Sequence, residues 1–315
     1  MSNKIKLVSV VGPTASGKTR LAVELAKVFD GEIVSADSMQ IYQGMRIATA
    51  KPTEEEKQGI PHHLMGFLPP EESYSVARFT DDAKKVIADI DARGKLPILA
   101  GGTGLYIDSL LGNITFSEGQ RDEAVCDALY ARCEREGIGS LLETLHEIDP
   151  VTYEKLKTER NPKRIVRAIE YYQTSGKPIS SQVAASRLEG SPYDPIKLGL
   201  IFLDREKLYE RINRRVELML EDGLLEEARQ VLNRDLSFTS VKAIGYKELI
   251  PYFENKATPE ECIEKLKRET RRYAKRQLTW FKRDRDIHWL YPDSEPDFAA
   301  LLDKAVHIIK RSLNG

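Results

Sequence analysis

The chain has 315 residues, 41% of them apolar and 31% charged, with 20 glycines and 15 prolines. That composition excludes collagen-like, low-complexity and largely disordered chains. The length exceeds what one core usually reaches, so one large domain with an inserted module, or two domains, is expected. Lysine and arginine number 48 against 49 aspartates and glutamates, so any attraction to nucleic acid must come from a local patch. Cys126, Cys133 and Cys262 make no disulfide framework, and no CxxC pair points to structural zinc. The apolar run after Lys6 is too short for a signal peptide. No run of about 18 apolar residues suggests a membrane span, and a reduced cytoplasm is the expected location.

In chain order, residues 5–11 (IKLVSVV) form a short apolar run ended by Gly12-Pro13, which predicts a buried parallel strand. A helical pattern follows from Lys18, with Leu21, Leu25 and Val28 on one face. Residues 32–36 predict a second strand, ending at Asp37. Residues 75–93 predict an amphipathic helix that buries Val76, Phe79, Ala83, Val86, Ile87 and Ile90. A third strand is expected at 96–100, a fourth at 197–203 and a fifth at 287–290. Strands alternating with helices predict an α/β fold with a parallel sheet.

The stretch from about 117 to 190 breaks this rhythm, with helices predicted at 122–136, 140–147 and 162–174 and no convincing strand. The expected organisation is a first core part at 1–117, an all-helical insertion at 118–190 and a second core part at 191–315. That last part is mostly helical: 205–221, 224–233, 246–253 and a long run from 259 to about 285.

Gly12-Pro13-Thr14-Ala15-Ser16-Gly17-Lys18-Thr19 matches GxxxxGK[ST] between a predicted strand and a predicted helix, the context this motif requires. Backbone N–H groups and the positive helix end hold a chain of phosphates. Lys18 adds a point charge, and the Thr19 hydroxyl is placed to ligate Mg²⁺. The motif reports a di- or triphosphate, not which one. Asp37 follows the second strand, where open α/β sheets bind ligands; it reads either as a general base or as a turn and cap residue. Thr103, in Gly101-Gly102-Thr103-Gly104, ends the third strand in the same way; the glycines either let a substrate approach the backbone closely or form a tight turn with Thr103 as N-cap. Arg211 and Arg215 share a helix face and are placed to clamp a leaving phosphate, against the commoner fate of a solvated basic face. Arg268, Arg272 and Arg276 form one stripe on the long C-terminal helix, with Tyr273, Trp280 and Phe281 interleaved. This reads as a phosphate-backbone contact or as a solvated face over an aromatic core. His62 and His63 are adjacent, so in an extended segment they point to opposite sides and cannot share a metal; they read as structural or substrate-wall residues.

Taken together, GPTASGKT at 12–19, DSMQIY at 37–42, IPHHL at 60–64, GGTGLY at 101–106, NPKRIVRAIE at 161–170, AIGYKE at 243–248 and RRYAKRQLTWF at 271–281 resemble the bacterial tRNA dimethylallyltransferase (tRNA isopentenyltransferase) family. The phosphate loop alone is common to many NTPases, whereas DSMQIY with GGTGLY and RRYAKRQLTWF is specific. The resemblance implies transfer of a dimethylallyl group from dimethylallyl diphosphate to the exocyclic amine of the adenosine 3′ of the anticodon. The acceptors are tRNAs reading codons that begin with U, the cofactor is Mg²⁺, and the fold is a P-loop NTPase-like α/β core with a helical insertion gripping the anticodon stem-loop. It assigns the base to Asp37 and a supporting catalytic role to Thr103, whose inferred contact is the phosphate end of the donor. The acceptor base must be flipped, with Ser38, Met39 and Gln40 lining its entry. Residues matching Lys163, Arg164, Ile165, Val166 and Arg167 touch tRNA. Near Cys126 the expected arginine is missing, with Arg121 the nearest upstream cation, and Lys242 stands where glutamine is expected. The chain is expected to be a monomer without a membrane partner.

Three rival activities fit parts of the sequence. A small-molecule or nucleoside kinase explains the phosphate loop, Asp37 and a helical lid but not the basic helix. A nucleic-acid-dependent ATPase needs a metal-binding aspartate for which Asp37 and Asp204 are only loose candidates. A prenyltransferase acting on free AMP leaves the basic residues of the helix and of 163–167 unused.

Overall fold

The computed structural model describes residues 4–114, 122–188 and 190–313. The chain opens with β1 (Ile5–Val11), α1 (Lys18–Val28), β2 (Gly31–Ser35), the single-turn α2 (Glu54–Lys57) and the two-residue β3 (His62–His63). Next come α3 (Val76–Ala92), β4 (Leu96–Gly101) and α4 (Gly104–Leu111). Ser75 starts α3 by accepting the Arg78 N–H at 3.1 Å, a usual N-cap. The helix stops before Gly94, whose φ of 71° suits glycine.

Five helices follow: α5 (Glu123–Glu136), α6 (Ile138–Ile148), α7 (Pro150–Leu156), α8 (Pro162–Ser175) and α9 (Ile179–Leu188). They pack around Leu141, Leu145, Ile165 and Ile169, all fully buried. Asp149 caps α7 through the Thr152 N–H at 3.0 Å and also accepts the Ser180 N–H at 3.0 Å, tying α9 to α7. Asn161 caps α8, where Pro162 fills the first turn without removing a helical hydrogen bond. Of these helices, α7 and α9 are too short and too weakly periodic to read from sequence.

The chain then forms β5 (Tyr193–Leu200), α10 (Arg205–Glu221), α11 (Leu224–Leu232), α12 (Ile250–Phe253), α13 (Pro259–Phe281), β6 (His288–Leu290) and α14 (Phe298–Leu313). The chain divides into two units, Gly112–Ser191 and Met1–Leu111 with Pro192–Gly315. The first core part thus ends where α4 ends, earlier than the 117/118 boundary read from sequence.

The six strands form one parallel sheet in the order β3-β2-β4-β1-β5-β6. Alternate β1 residues feed two layers. Leu7 and Val11 join Phe79, Ala83 and Ile87 of α3, while Val8 and Val10 join Leu21 and Leu25 of α1 and Leu301 of α14. Helices cover both faces, which is why the strands read as continuous apolar runs.

Several expected bounds shift. β5 starts at Tyr193 and ends at Leu200, not at 197–203, because it pairs with β1 from Ile5↔Tyr193 to Val11↔Gly199. Pro195 disguised its first half; β6 reaches only Leu198–Leu200, so the far flank of the strand is open there. Leu203, placed in that strand from sequence, is 69% exposed beyond it. The helix expected at 246–253 is confined to Ile250–Phe253, where Pro251 occupies the first turn, and the long helix stops at Phe281 rather than near 285. Helices α4 and α14 and strand β3 were not foreseen.

Candidate active site

The loop between β1 and α1 is built from backbone that side chains tolerate poorly. Gly12 has φ 146° and a Cβ there would lie 2.7 Å from the Leu200 carbonyl of β5. Gly17 has φ 98° and begins α1 without a side-chain cap, leaving the first amides of the helix for another acceptor. Lys18 folds back, donating to the Pro13 carbonyl at 2.6 Å. Burial first, and the Arg215 charge second, lower its pKa to about 7, against the opposing pull of Asp37. Arg211 and Arg215 both reach this loop from α10, as their shared face predicts. Arg211 Nε donates to the Ala15 carbonyl at 2.9 Å, and Arg215 approaches Thr14 Oγ1 at 3.4 Å.

Asp37 stands just past β2, and its Oδ1 accepts the N–H groups of Met39 at 2.9 Å and Gln40 at 3.4 Å. The residue is thus both the turn former and a wall residue of the large cavity, so its two readings are not exclusive. Gln40 donates to the carbonyls of Thr49 and Ala50 at 3.2 and 3.1 Å, fixing the opposite wall. That wall has a second anchor, which sequence reasoning missed. Glu227 of α11 accepts the N–H groups of Arg46, Ile47 and Ala48 at 2.9, 2.7 and 3.0 Å and the Tyr246 hydroxyl at 2.8 Å.

Thr103 follows β4 and faces the Asp37 turn. Its Oγ1 accepts the Ser38 N–H at 3.0 Å and its hydroxyl faces Ser38 Oγ at 3.4 Å. These bonds brace the turn that carries Asp37.

Two residues of α13 fasten the glycine loop. Gln277 accepts the Thr14 N–H at 2.8 Å and donates to the Gly102 carbonyl at 3.0 Å, bridging the phosphate loop and the GGTG turn. A Cβ on Gly102 would collide with Gln277 Nε2, and one on Gly104 would strike the Trp280 ring. Glycine at these positions is required by the close approach of α13. The Trp280 indole N–H donates to Asp108 at 2.8 Å. Beside Gln277, Tyr273 has its phenol pushed up by burial and by the Asp37 charge, with Thr103 as a hydrogen-bond partner.

These groups enclose a cavity of about 280 Å³ lined by Thr14, Ala15, Lys18, Thr19, Asp37, Ser38, Met39, Gln40, Arg215, Tyr273, Arg276 and Gln277, among others. His62 also lines it. Its Nδ1 meets the Ile60 carbonyl at 2.8 Å, burial lowers its pKa, and its Nε2 is buried without a partner. His63 points elsewhere, to Glu32 at 2.7 Å, so the pair divides as the extended geometry requires. Among the described residues no group of three His, Cys, Asp or Glu side chains is placed to hold a metal.

A cavity joining a phosphate loop to a carboxylate suits several transferases, and similarity decides among them. A family model described as IPP transferase matches residues 40–284, and one described as isopentenyl transferase matches residues 5–65. The tRNA dimethylallyltransferase of Caldanaerobacter subterraneus subsp. tengcongensis is 46% identical over 300 residues, covering 94% of this chain and 95% of that protein. That of Acetivibrio thermocellus is 48% identical over 286 residues, 90% and 91% of the two chains. The chain belongs to the tRNA dimethylallyltransferase family. Among solved structures, the tRNA isopentenylpyrophosphate transferase of Bacillus halodurans superposes with a TM-score of 0.71 at 41% identity, covering 99% of each chain. A eukaryotic dimethylallyltransferase acting on tRNA gives 0.81 at 30% identity, covering 98% of this chain and 80% of its own.

The basic residues of two further motifs lie on α13 and α8. On α13, Arg268, Arg272 and Arg276 are exposed and Arg272 pairs with Glu269 at 2.7 Å. Successive positions 268, 272, 275, 276, 279 and 282 fall on one face, opposite the buried Leu266, Ala274 and Gln277. On α8, Arg164 pairs with Glu159 at 2.6 Å, Arg167 pairs with the buried Glu170, and Lys163 is exposed. Ile165 and Val166, expected at the RNA, are 0% and 1% exposed in the core of the helical unit. Their side chains are packing residues of that unit. Cys126 is buried in the same core, and Arg121 lies outside the described residues.

Proposed function

We propose that the protein transfers the dimethylallyl group of dimethylallyl diphosphate to N6 of the adenosine 3′ of the anticodon, in tRNAs that read codons beginning with U. The observation that carries this reading is one cavity holding both the phosphate loop, with Lys18, Thr19 and Arg215, and the Asp37 carboxylate. The diphosphate lies against the backbone N–H groups of Gly17, Lys18 and Thr19 at the uncapped start of α1, with the Lys18 side chain and the two arginines of α10 neutralising the charge that grows as the C1–O bond breaks. Mg²⁺ fits as an ion carried by the diphosphate and held from the protein side by the Thr19 hydroxyl, since such sites use few protein oxygens; when bound it supplies positive charge to the leaving group. The N6 lone pair forms the bond to C1, the bond electrons leave with diphosphate, and the N6 proton passes to Asp37. The turn bonds at Oδ1 hold Asp37 still, and Thr103 with Tyr273 braces that turn.

The acceptor adenine reaches this carboxylate only out of its stack, past Ser38, Met39 and Gln40. The exposed cations of α13 run along one helix face and suit a phosphate backbone, and Lys163, Arg164 and Arg167 add a second set on the insertion. The protein acts as a monomer in this reading, and no helix among the described residues is long and apolar enough to cross a membrane. A tRNA substrate supports a cytoplasmic location.

The test is label transfer. Purified protein with labelled dimethylallyl diphosphate and Mg²⁺ should label tRNA, and free AMP only at a far lower rate. Asp37→Ala should lower the single-turnover rate by roughly 10²–10⁴-fold while tRNA affinity holds. Efficient AMP prenylation, or ATP hydrolysis coupled to modification, overturns the reading.

A further inference from the structure

The segment between α11 and α12 carries an exposed aromatic ring that the chemistry above does not use. Its sequence is Ser237-Phe238-Thr239-Ser240-Val241-Lys242. The small polar residues are all fastened inward. The Ser237 N–H donates to the Pro70 carbonyl at 2.9 Å, the Ser240 hydroxyl donates to the same carbonyl at 2.6 Å, and the two serine hydroxyls bond at 3.0 Å. The Thr239 hydroxyl bonds the buried Tyr42 phenol and accepts the Tyr74 N–H at 3.4 Å. The apolar residues between these anchors face the other way, with Phe238 61% and Val241 43% exposed. A segment held this firmly with its apolar side chains turned outward leaves hydrophobic surface in water, which marks a contact surface.

Its surroundings indicate the partner. The Lys242 Nζ lies 3.1 Å from the centroid of the Phe238 ring, and Lys242 is itself a lining residue of the catalytic cavity. The ring is therefore one lysine away from the cavity that receives the acceptor, whose lining also holds Lys247 and Arg276. Flipping one base out of a stack leaves each neighbouring base with a bare face. Protein aromatics cover such faces while cations take the adjoining phosphates.

We propose that Phe238, flanked by Val241 and Lys242, is a stacking platform for an RNA base adjacent to the flipped adenosine; this rests on the tRNA reading above. A protein partner would also cover an apolar pair, but it leaves unexplained the lysine that joins the ring to the cavity.

The test uses the full-length protein and an anticodon stem-loop carrying 2-aminopurine at either position next to the acceptor adenosine. Phe238→Ala should weaken stem-loop binding by about 5- to 150-fold and abolish the change in 2-aminopurine emission at one of the two positions. Phe238→Tyr and Phe238→Trp should restore both, while Phe238→Leu should not. Donor affinity and the single-turnover rate at saturating stem-loop should stay at the parent value in all four variants. Unchanged stem-loop binding by Phe238→Ala overturns the platform and leaves the pair as a protein-docking surface. Full restoration by leucine overturns it too, since apolar bulk alone would then suffice. If the parent protein does not prenylate the stem-loop at all, the failure lies in the functional reading; if it does and the alanine variant binds normally, only the platform falls.

Discussion

Replacing Gln277 by leucine removes one side chain that serves two loops. The residue is 5% exposed, and leucine matches its bulk, so packing on α13 is largely kept. What disappears is the acceptor for the Thr14 N–H at 2.8 Å and the donor for the Gly102 carbonyl at 3.0 Å. Each buried backbone group left without a partner costs about 1–3 kcal/mol. Thr14 is only half-buried, so water can serve its N–H in part, and the sum is about 2–4 kcal/mol. For a core of this size that corresponds to a fall in Tm of about 4–16 °C. Because Thr14 belongs to the phosphate loop, the KM for dimethylallyl diphosphate should rise as well, while binding of the tRNA alone is unaffected. Differential scanning calorimetry with and without donor, alongside steady-state kinetics, measures both. A Gln277→Leu protein that melts within about 1–2 °C of the parent and keeps its donor KM would refute the bridging role, since a shift that small does not reach about 1 kcal/mol.

Three further outcomes follow from the electrostatics. Burial holds Lys18 at about 7 in the free protein, and an incoming diphosphate favours its charged form, so donor binding should take up a proton; titration calorimetry at about pH 8 in buffers of different ionisation heat should show it, and Lys18→Met should abolish it. Glu32 is held at about 2, chiefly by its bond to Arg93 and then, against the cost of burial, by His63. Its folded value lies below the unfolded one near 4.5, so its contribution is complete above that pH and fades as pH falls toward 2, and Glu32→Gln should flatten the acid limb of the stability curve between those values. Neutralising Arg268, Arg272 and Arg276 together should weaken all tRNAs alike and lower the slope of log affinity against log salt by about 0.7–0.9 for each phosphate no longer neutralised; an unchanged slope would remove α13 from the RNA interface.

What the sequence revealed tracks how local each signal is. The phosphate loop was legible because its geometry is encoded in eight consecutive residues between a strand and a helix. Arg211 and Arg215 were legible because helical spacing alone puts them on one face. Thr103 was placed by motif in the chemistry, but its partner, Ser38, is 65 positions away and no spacing rule reveals that bond. Glu227 reads as a solvated acid on an amphipathic helix; its role depends on three amides about 180 residues upstream. Gln277 did leave a trace, since it occupies an inner position of α13 in step with Leu266 and Ala274, where an amide demands partners. Ile165 and Val166 show the opposite error: a motif segment was taken as a unit, although the helical period divides it into three outward cations and two core residues.

The bridge from Gln277 to Thr14 also orders events on the ribosome. Strand β1 lies between β4 and β5, and the phosphate loop reaches its final partners only when β5, α10 and α13 exist. At the usual pace of about 5–20 residues per second, roughly 15–50 s separate synthesis of Lys18 from that of Gln277. For most of that interval the nascent chain has the glycine loop but neither of its arginines, and throughout it lacks the glutamine brace. The loop is thereby left unbraced until α13 has been made, and the two halves of the cavity are completed together.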